Sequence, residues 1–371
     1  MNVRRRHISG IAVTAAAALG LGTLSACSSD STAAGNTDKF DVVASFYPMA
    51  FLAEQIGGEH VNVSSLTQPG QEPHDLELST KQRAQLEETD AALFLKGLQP
   101  AVDEAIGQSG VKTKIDAATL TSLEEHGTEA GGHAAEEGHA GEEHAGEGHT
   151  GEEHAGEGHT GEEHAGEGHT EEEHAGEGHT EEGHAEEEHG HDHSHEAGGK
   201  DPHIWLDPVK YAEVAEGVGK AFEKADPDHA ADYKKNTQAL VGKLVELNTK
   251  FETGLKDTKT KVFITTHSAF GYLAERYGLT EESISGLSPE SEPSAARVKE
   301  LERMAKADGV STIFYETLVS DKTAKTVAKD ANLKTDVLDP LEGITDKSRG
   351  DDYFQVMEAN LKALRTALGA K

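Results

Sequence analysis

From Asp41 onward the chain alternates short apolar runs with longer stretches in which apolar residues recur every three or four positions. Val42-Val43-Ala44 reads as a buried strand and Met49 to Ile56 as the helix that follows it. Strand-like runs recur at Val61 to Leu66, Ala91 to Leu95 and Val111 to Ile115, with a helical stretch at Lys81 to Glu88 between them. The second half repeats this alternation. Strands are expected at Val262 to Thr265, Ser283 to Gly286, Thr312 to Tyr315 and Thr335 to Leu338, and helices at Ala269 to Tyr277, Ala295 to Ala307, Lys322 to Asn332 and Tyr353 to Leu368. Such alternation predicts an α/β fold of two lobes, each a mainly parallel sheet flanked by helices, with ligand sites beyond the carboxyl ends of the strands.

Between the halves, Asp226-Pro227-Asp228 reads as a helix start, with Asp as cap and Pro at the first helical position. Tyr233, Leu240, Leu244, Leu247, Phe251 and Leu255 then keep helical spacing for about seven turns. That length predicts a connector over 226–257 joining lobes at 41–225 and 258–371, and a cleft between two such lobes suits a small ligand.

The first lobe is interrupted by residues 126–195, which are different in kind. The decapeptide Gly-Glu-Glu-His-Ala-Gly-Glu-Gly-His-Thr stands at 141–150, 151–160 and 161–170, with degenerate copies after it. Sixteen of the chain's 22 histidines lie in this stretch. With Gly in every copy and almost no apolar side chain but Ala, burial cannot offset the entropy of ordering it, so disorder is expected. The formal charge of -34 is concentrated here: residues 124–196 hold 25 of the 68 acids and no Lys or Arg. A chain without a basic patch argues against nucleic acid as partner and for cations.

The first 27 residues follow a secretory pattern: Arg4, Arg5 and Arg6, then an apolar run from Ile11 through Leu24 that is too short for a membrane span. It ends in Leu24-Ser25-Ala26-Cys27, similar to the lipobox of bacterial lipoproteins, so Cys27 is expected to carry a lipid that anchors the protein to the outer face of the membrane through a tether over 28–40. Cys27 is the sole cysteine, which excludes an intramolecular disulfide and a thiolate metal site.

Outside leader and repeat, five histidines remain. His60 lies in a Gly-rich turn and His229 in a first helical turn beside acids; both read as solvated. His74, His203 and His267 have loop contexts that follow strand-like runs. A lone histidine is more often a surface or hydrogen-bonding residue than a ligand. Pro73 and Pro202, however, fix the backbone entering two of these imidazoles, as suits rings held at a set angle to a partner.

Pro69-Gly70 with Glu72-Pro73-His74-Asp75-Leu76-Glu77, then Asp201-Pro202-His203-Ile204-Trp205-Leu206-Asp207-Pro208, then His267-Ser268-Ala269-Phe270-Gly271-Tyr272 with Leu287-Ser288-Pro289-Glu290-Ser291-Glu292-Pro293-Ser294, resemble in order the motifs of the zinc and manganese substrate-binding lipoproteins of metal ABC importers. The likeness runs from about Phe40 to the C-terminus, around a His-rich insertion of the kind zinc members carry. It implies two α/β lobes joined by one long helix, with a metal between them held by His74 and His203 from the first lobe and His267 from the second. Leu338-Asp339-Pro340-Leu341-Glu342-Gly343 is similar to the family's last motif, where some members use a carboxylate ligand and others water. Glu342 is the expected fourth ligand, with Asp339 as the alternate; a loop acid capping nearby backbone is the competing reading for both. Glu72 and Glu77 are expected to support the site or to be solvated.

Three imidazoles and a carboxylate suit Zn²⁺, whereas Mn²⁺ prefers oxygen-rich sites, and manganese members place a carboxylate where His267 stands. Cu²⁺ and Ni²⁺ would compete on affinity alone, so supply must exclude them. The repeat offers weak auxiliary sites at His144, His149, His154, His159, His164, His169, His174, His179, His184, His189, His191, His193 and His195. A tethered tract of this kind raises the local metal concentration, and its affinity falls as the imidazoles protonate below about pH 6.5. The expected function is extracytoplasmic capture of Zn²⁺ by a monomer and its delivery to a membrane permease. No Gly-x-x-x-x-Gly-Lys-Ser/Thr loop is present, so the ATPase must be a separate chain. The alternatives are a manganese or other divalent-metal binding protein of the same transporter type, and a surface zinc buffer or adhesin. A zinc hydrolase is the enzymatic alternative, but His-Glu-x-x-His is absent and a protein carboxylate as fourth ligand closes the site; the chain is therefore read as no enzyme.

Overall fold

A computed structural model describes residues 39–126 and 199–371 of the chain. The leader with Cys27, the tether up to residue 38 and the repeat histidines His144 through His195 lie outside the described residues.

In the first half, β1 (Phe40–Ala44), β2 (Val61–Ser65), β3 (Ala91–Phe94) and β4 (Thr113–Asp116) pair in parallel in the order β2-β1-β3-β4, linked by α1 (Tyr47–Gly57), α2 (Thr80–Glu88) and α3 (Pro100–Gln108). The second half repeats the plan. There β5 (Val262–Thr265), β6 (Thr280–Ser283), β7 (Thr312–Tyr315) and β8 (Lys334–Val337) pair in parallel as β6-β5-β7-β8, linked by α6 (Gly271–Arg276), α7 (Ala295–Ala307) and α8 (Lys322–Ala331) and closed by α9 (Tyr353–Ala367). In each sheet the connection from the first strand runs to one side and the next returns to the other. Loops after the first and third strands therefore diverge and leave a crevice at the carboxyl ends.

Strand side chains alternate between two cores because successive Cβ atoms point to opposite faces. Val42, Ala44, Ala91, Leu93, Phe263 and Phe314 enter one apolar cluster shared by both halves. Val43, Ala92 and Phe94 face a separate outer core of the first half, and Ile264 and Ile313 one of the second. The halves thus share an interior along the side from which the site is built.

Helix α5 (Ala230–Leu255) buries Tyr233, Leu240, Leu244, Leu247, Phe251 and Leu255 against α4 (Pro208–Ala225) and the shared core. At its start Asn236 Nδ2 donates to the Ile56 carbonyl of α1 at 3.0 Å. At its end Gly254 lies where an added Cβ would stand 3.0 Å from Leu361 of α9, so small size there permits the close approach. One helix therefore packs on both halves.

Three expectations differ from the structure. The helix expected to begin at Asp226-Pro227 begins at Ala230, after a 3₁₀ turn over Pro227–His229. The Asp226 carboxylate caps no backbone amide; it accepts from the Tyr233 hydroxyl at 2.5 Å and lies 2.8 Å from His229 Nδ1. Strand β6 lies at Thr280–Ser283 and not at Ser283–Gly286. It is an edge strand rich in acids, Glu282 pairing with Arg297 at 2.8 Å and Glu281 accepting from Thr265 Oγ1 at 2.8 Å, so it lacks the apolar run that marks a central strand. Helices α3 and α4 are elements beyond those expected. The Asp207-Pro208 pair that closes the His203 motif is also a helix start, with Asp207 Oδ1 accepting from Val209 N at 2.8 Å and Pro at the first position. Among the described residues no helix is long and apolar enough to cross a membrane.

The other oxygen of Asp207 accepts from Arg276 Nε at 2.9 Å and Nη2 at 2.6 Å, tying α4 to α6 of the opposite half. The carboxylate is buried while the guanidinium is one-third exposed. Asp207→Ala is therefore expected to remove a cap and a cross-half ion pair together and to lower unfolding free energy by about 3 kcal/mol. Urea denaturation followed by circular dichroism checks this; an unchanged midpoint would show that neither contact stabilises the fold.

Candidate metal centre

The crevices of the two sheets face a common point. His267 follows β5 by two residues and Glu316 follows β7 directly, so they flank the place where the second sheet's loops diverge. His74 lies in the loop after β2, held there by Leu76 and Leu78, which bury in the outer core of the first half. Glu72 supports this turn: its carboxylate accepts from His74 N at 2.9 Å and from Asp75 N at 3.2 Å. His203 heads a 3₁₀ turn over Ile204–Leu206 whose three side chains are fully buried.

Glu342 reaches the same point by a constrained path. Leu341 before it is fully buried with φ 60, a left-handed conformation that costs a residue with a Cβ about 1–2 kcal/mol. Asp339 Oδ1 accepts from Leu341 N at 2.9 Å, while Asn360 brackets Asp339, its Oδ1 accepting from Asp339 N at 2.9 Å and its Nδ2 donating to Asp339 O at 2.7 Å. The second Asp339 oxygen accepts from Ser348 Oγ at 2.8 Å and Thr317 Oγ1 at 3.2 Å. Asp339 is thus spent on bracing the loop that turns Glu342 inward. Trp205 locks this loop to the His203 turn by donating from Nε1 to the Pro340 carbonyl at 2.6 Å.

One oxygen of Glu342, Oε1, lies 3.2 Å from His74 Nε2, 3.4 Å from His203 Nε2 and 3.4 Å from His267 Nε2. These separations match the edge of a tetrahedron whose corners lie about 2.0–2.1 Å from its centre, which is about 3.3 Å, the geometry of four-coordinate Zn²⁺. His203 Nε2, His267 Nε2 and Glu342 Oε2 are buried with no hydrogen-bond partner. Left so, each would cost about 1–3 kcal/mol; a cation among them supplies the missing partner. Three imidazoles and one carboxylate are a donor set suited to Zn²⁺.

The outer nitrogens fix the tautomers. His203 Nδ1 lies 2.7 Å from Asp201 Oδ1, and His267 Nδ1 2.8 Å from Glu316 Oε1. A carboxylate on Nδ1 holds the proton there and turns the Nε2 lone pair toward the metal point. Asp201 and Glu316 escape identification from sequence; their only signals are that Asp201 stands two residues before His203 and that Glu316 follows a strand-like run, as His267 does. His60 and His229 do not join the centre. They stack on each other with ring centroids 4.1 Å apart, His60 Nε2 lying 3.0 Å from Asp232, so they are paired and not merely solvated.

For His203, His267 and Glu342 burial is the largest influence and is overruled by the neighbours together. It would lower the His203 pKa, but Asp201 and then Glu342 push it up to about 9. His267 is likewise raised well above the usual imidazole range by Glu316 and Glu342. Glu342 is held well below the usual carboxylate range by His203, His267 and His74 in spite of its burial.

The zinc-uptake complex component A family, periplasmic, matches residues 42–367. The chain belongs to that family. It is 35% identical over 333 residues to the zinc-binding protein AdcA of Streptococcus pyogenes, covering 88% of this chain but 56% of AdcA, so it spans about half the length of that relative. It is 33% identical over 372 residues to the high-affinity zinc uptake system protein ZnuA of Bacillus subtilis, covering 98% of both. Among solved structures, the Zn(II)-bound ZnuA-like domain of Streptococcus pneumoniae AdcA superposes with a TM-score of 0.62 at 29% identity, covering 89% of this chain and 99% of that domain. The two-lobed α/β architecture is that of the family.

In the cation-free protein the neighbouring carboxylates favour the protonated form of His203, whose pKa is pushed up to about 9, and of His267. Zn²⁺ must displace these protons. The expected outcome is release of protons as the ion binds in the cleft at pH 7, declining as pH rises through about 9, with apparent affinity weakening as pH falls. Calorimetry in buffers of different ionisation enthalpy measures the number, and zero release at pH 7 would contradict protonation of these two imidazoles.

Proposed function

We propose that this chain is the extracytoplasmic capture component of a zinc ABC importer: it binds Zn²⁺ in the cleft and delivers it to a membrane permease driven by a separate ATPase. The observation that carries the reading is the convergence of three Nε2 atoms on one Glu342 oxygen at tetrahedral spacing. The zinc-uptake naming of the family and of ZnuA, and the Zn(II) in the AdcA domain, support the cargo.

His74, His203, His267 and Glu342 are the ligands, and Asp339 is a brace. The coordination shell is then filled by protein, which leaves no open position for activating a water, and no hydrolytic reaction is proposed. Only the His74 side chain keeps some exposure, 12% against 2% or less for the other three, so the ion enters and leaves on the His74 side. The protein is anchored through lipidated Cys27, an assignment that rests on the leader pattern and on the lipoprotein naming of the AdcA relative in Streptococcus pneumoniae. The His-rich repeat collects ions for the cleft when zinc is scarce.

Competition of Zn²⁺ against Mn²⁺ on the purified protein tests the centre. Zn²⁺ is expected to win, and His267→Ala and Glu342→Gln each to weaken cleft binding by more than about 100-fold. Asp339→Asn should chiefly destabilise the loop. Preference for Mn²⁺, or tight zinc binding retained in His267→Ala, would sink the assignment. Deletion of 127–195 is expected to slow growth only at limiting zinc, and unchanged growth there would remove the collecting role.

A further inference from the structure

Outside the cleft, one other set of side chains among the described residues brings ligand atoms together: those of Glu124, His126 and Glu275 all lie within 4.8 Å of one another. His126 Nε2 stands 3.0 Å from Glu275 Oε2. Its Nδ1 stands 2.9 Å from Asp201 Oδ2, on a fully buried carboxylate. As with His203 and His267 in the cleft, an acid stands on Nδ1; here Nε2 faces the Glu275 carboxylate, where a cation would take the place of the proton between them.

The imidazole has a built seat. Gly271, the first residue of α6, lies against it so closely that an added Cβ would stand 2.4 Å from His126 Cβ, and the ring packs edge-on to Tyr272 with centroids 4.4 Å apart. The approach segment is clipped down on either side. Glu124 N donates to Tyr272 Oη at 2.8 Å, and Glu124 O accepts from Asp201 N at 2.9 Å. Lys210 Nζ donates to Glu124 Oε1 at 2.6 Å, which steadies that acid but makes it the weakest donor of the three.

We propose that His126, Glu275 and Glu124 form a second, outer site for a divalent cation of the Zn²⁺ type, at the root of the His-rich insertion. One imidazole and two carboxylates match a borderline ion that accepts mixed nitrogen and oxygen donors. Partial exposure leaves room for water in the shell, so the site binds more weakly than the cleft and exchanges faster. Asp201 joins the two, its Oδ1 on His203 and its Oδ2 on His126. An ion leaving the tract thus meets a ligand set one shared carboxylate from the cleft. The outer site stands on its own donors and does not require that the cleft reading be right.

Zinc-edge anomalous diffraction from crystals of the full chain equilibrated with Zn²⁺ tests it. Two peaks are expected, one among His74, His203, His267 and Glu342 and one bonded to His126 Nε2 and a Glu275 oxygen. Glu275 is 61% exposed, so Glu275→Ala should fold normally, lose the outer peak and keep the cleft peak. A cleft peak alone, an outer peak held by tract histidines with His126 still on Glu275, or an outer peak indifferent to Glu275→Ala would overturn the proposal. An outer peak with an empty cleft would instead retain this site and defeat the cleft assignment.

Discussion

Glu342 carries its charge with no exposure to water, and two further buried carboxylates, Asp201 and Glu316, stand behind the imidazoles that face it. Burying an uncompensated carboxylate costs far more than a domain can supply, so such a cluster persists only if positive charge comes with it. Two states meet that need. In one, His203 and His267 hold protons; in the other, a divalent ion takes the same place and the protons leave. The imidazoles and carboxylates are therefore arranged so that positive charge, as protons or as a cation, balances the buried negative charge.

Holding four donors from separate loops demands a frame that does not give. Both sheets contribute alternate strand residues to one shared core, and α5 packs along both halves. Trp205 sits in the middle of this frame, fully buried between His203 and the Glu342 loop. It donates to Pro340, and its own carbonyl accepts from Tyr353 Oη at 2.6 Å. An interior shared in this way favours small adjustments of loops over wide swings of lobes when the ion leaves. The exposed edge of His74 is the natural place for that adjustment.

The insertion connects to this frame at a defined point. Residues 124–126 lie along α6, and the carboxylate that orients His203 also contacts His126.

The alternation of strands and helices is legible along the chain, because parallel strands buried on both faces are short apolar runs and amphipathic helices keep a 3.6-residue period. Where polar residues replace that signal, as in the acidic edge strand β6, the boundary is misplaced. The three histidines stand out through their motif contexts, being few and set beside Pro or a strand end. What periodicity does not decide is which acid meets them. Asp339 and Glu342 are three residues apart in one loop, and only the left-handed turn at Leu341, braced by Asn360 from a distant helix, sends Glu342 inward and keeps Asp339 for the backbone. Asp201, Glu316 and His126 are hidden for the same reason. Residue type and local pattern follow from the sequence directly, but the direction of a side chain in a loop is set by contacts with residues distant in the chain, and those exist only once the chain has folded.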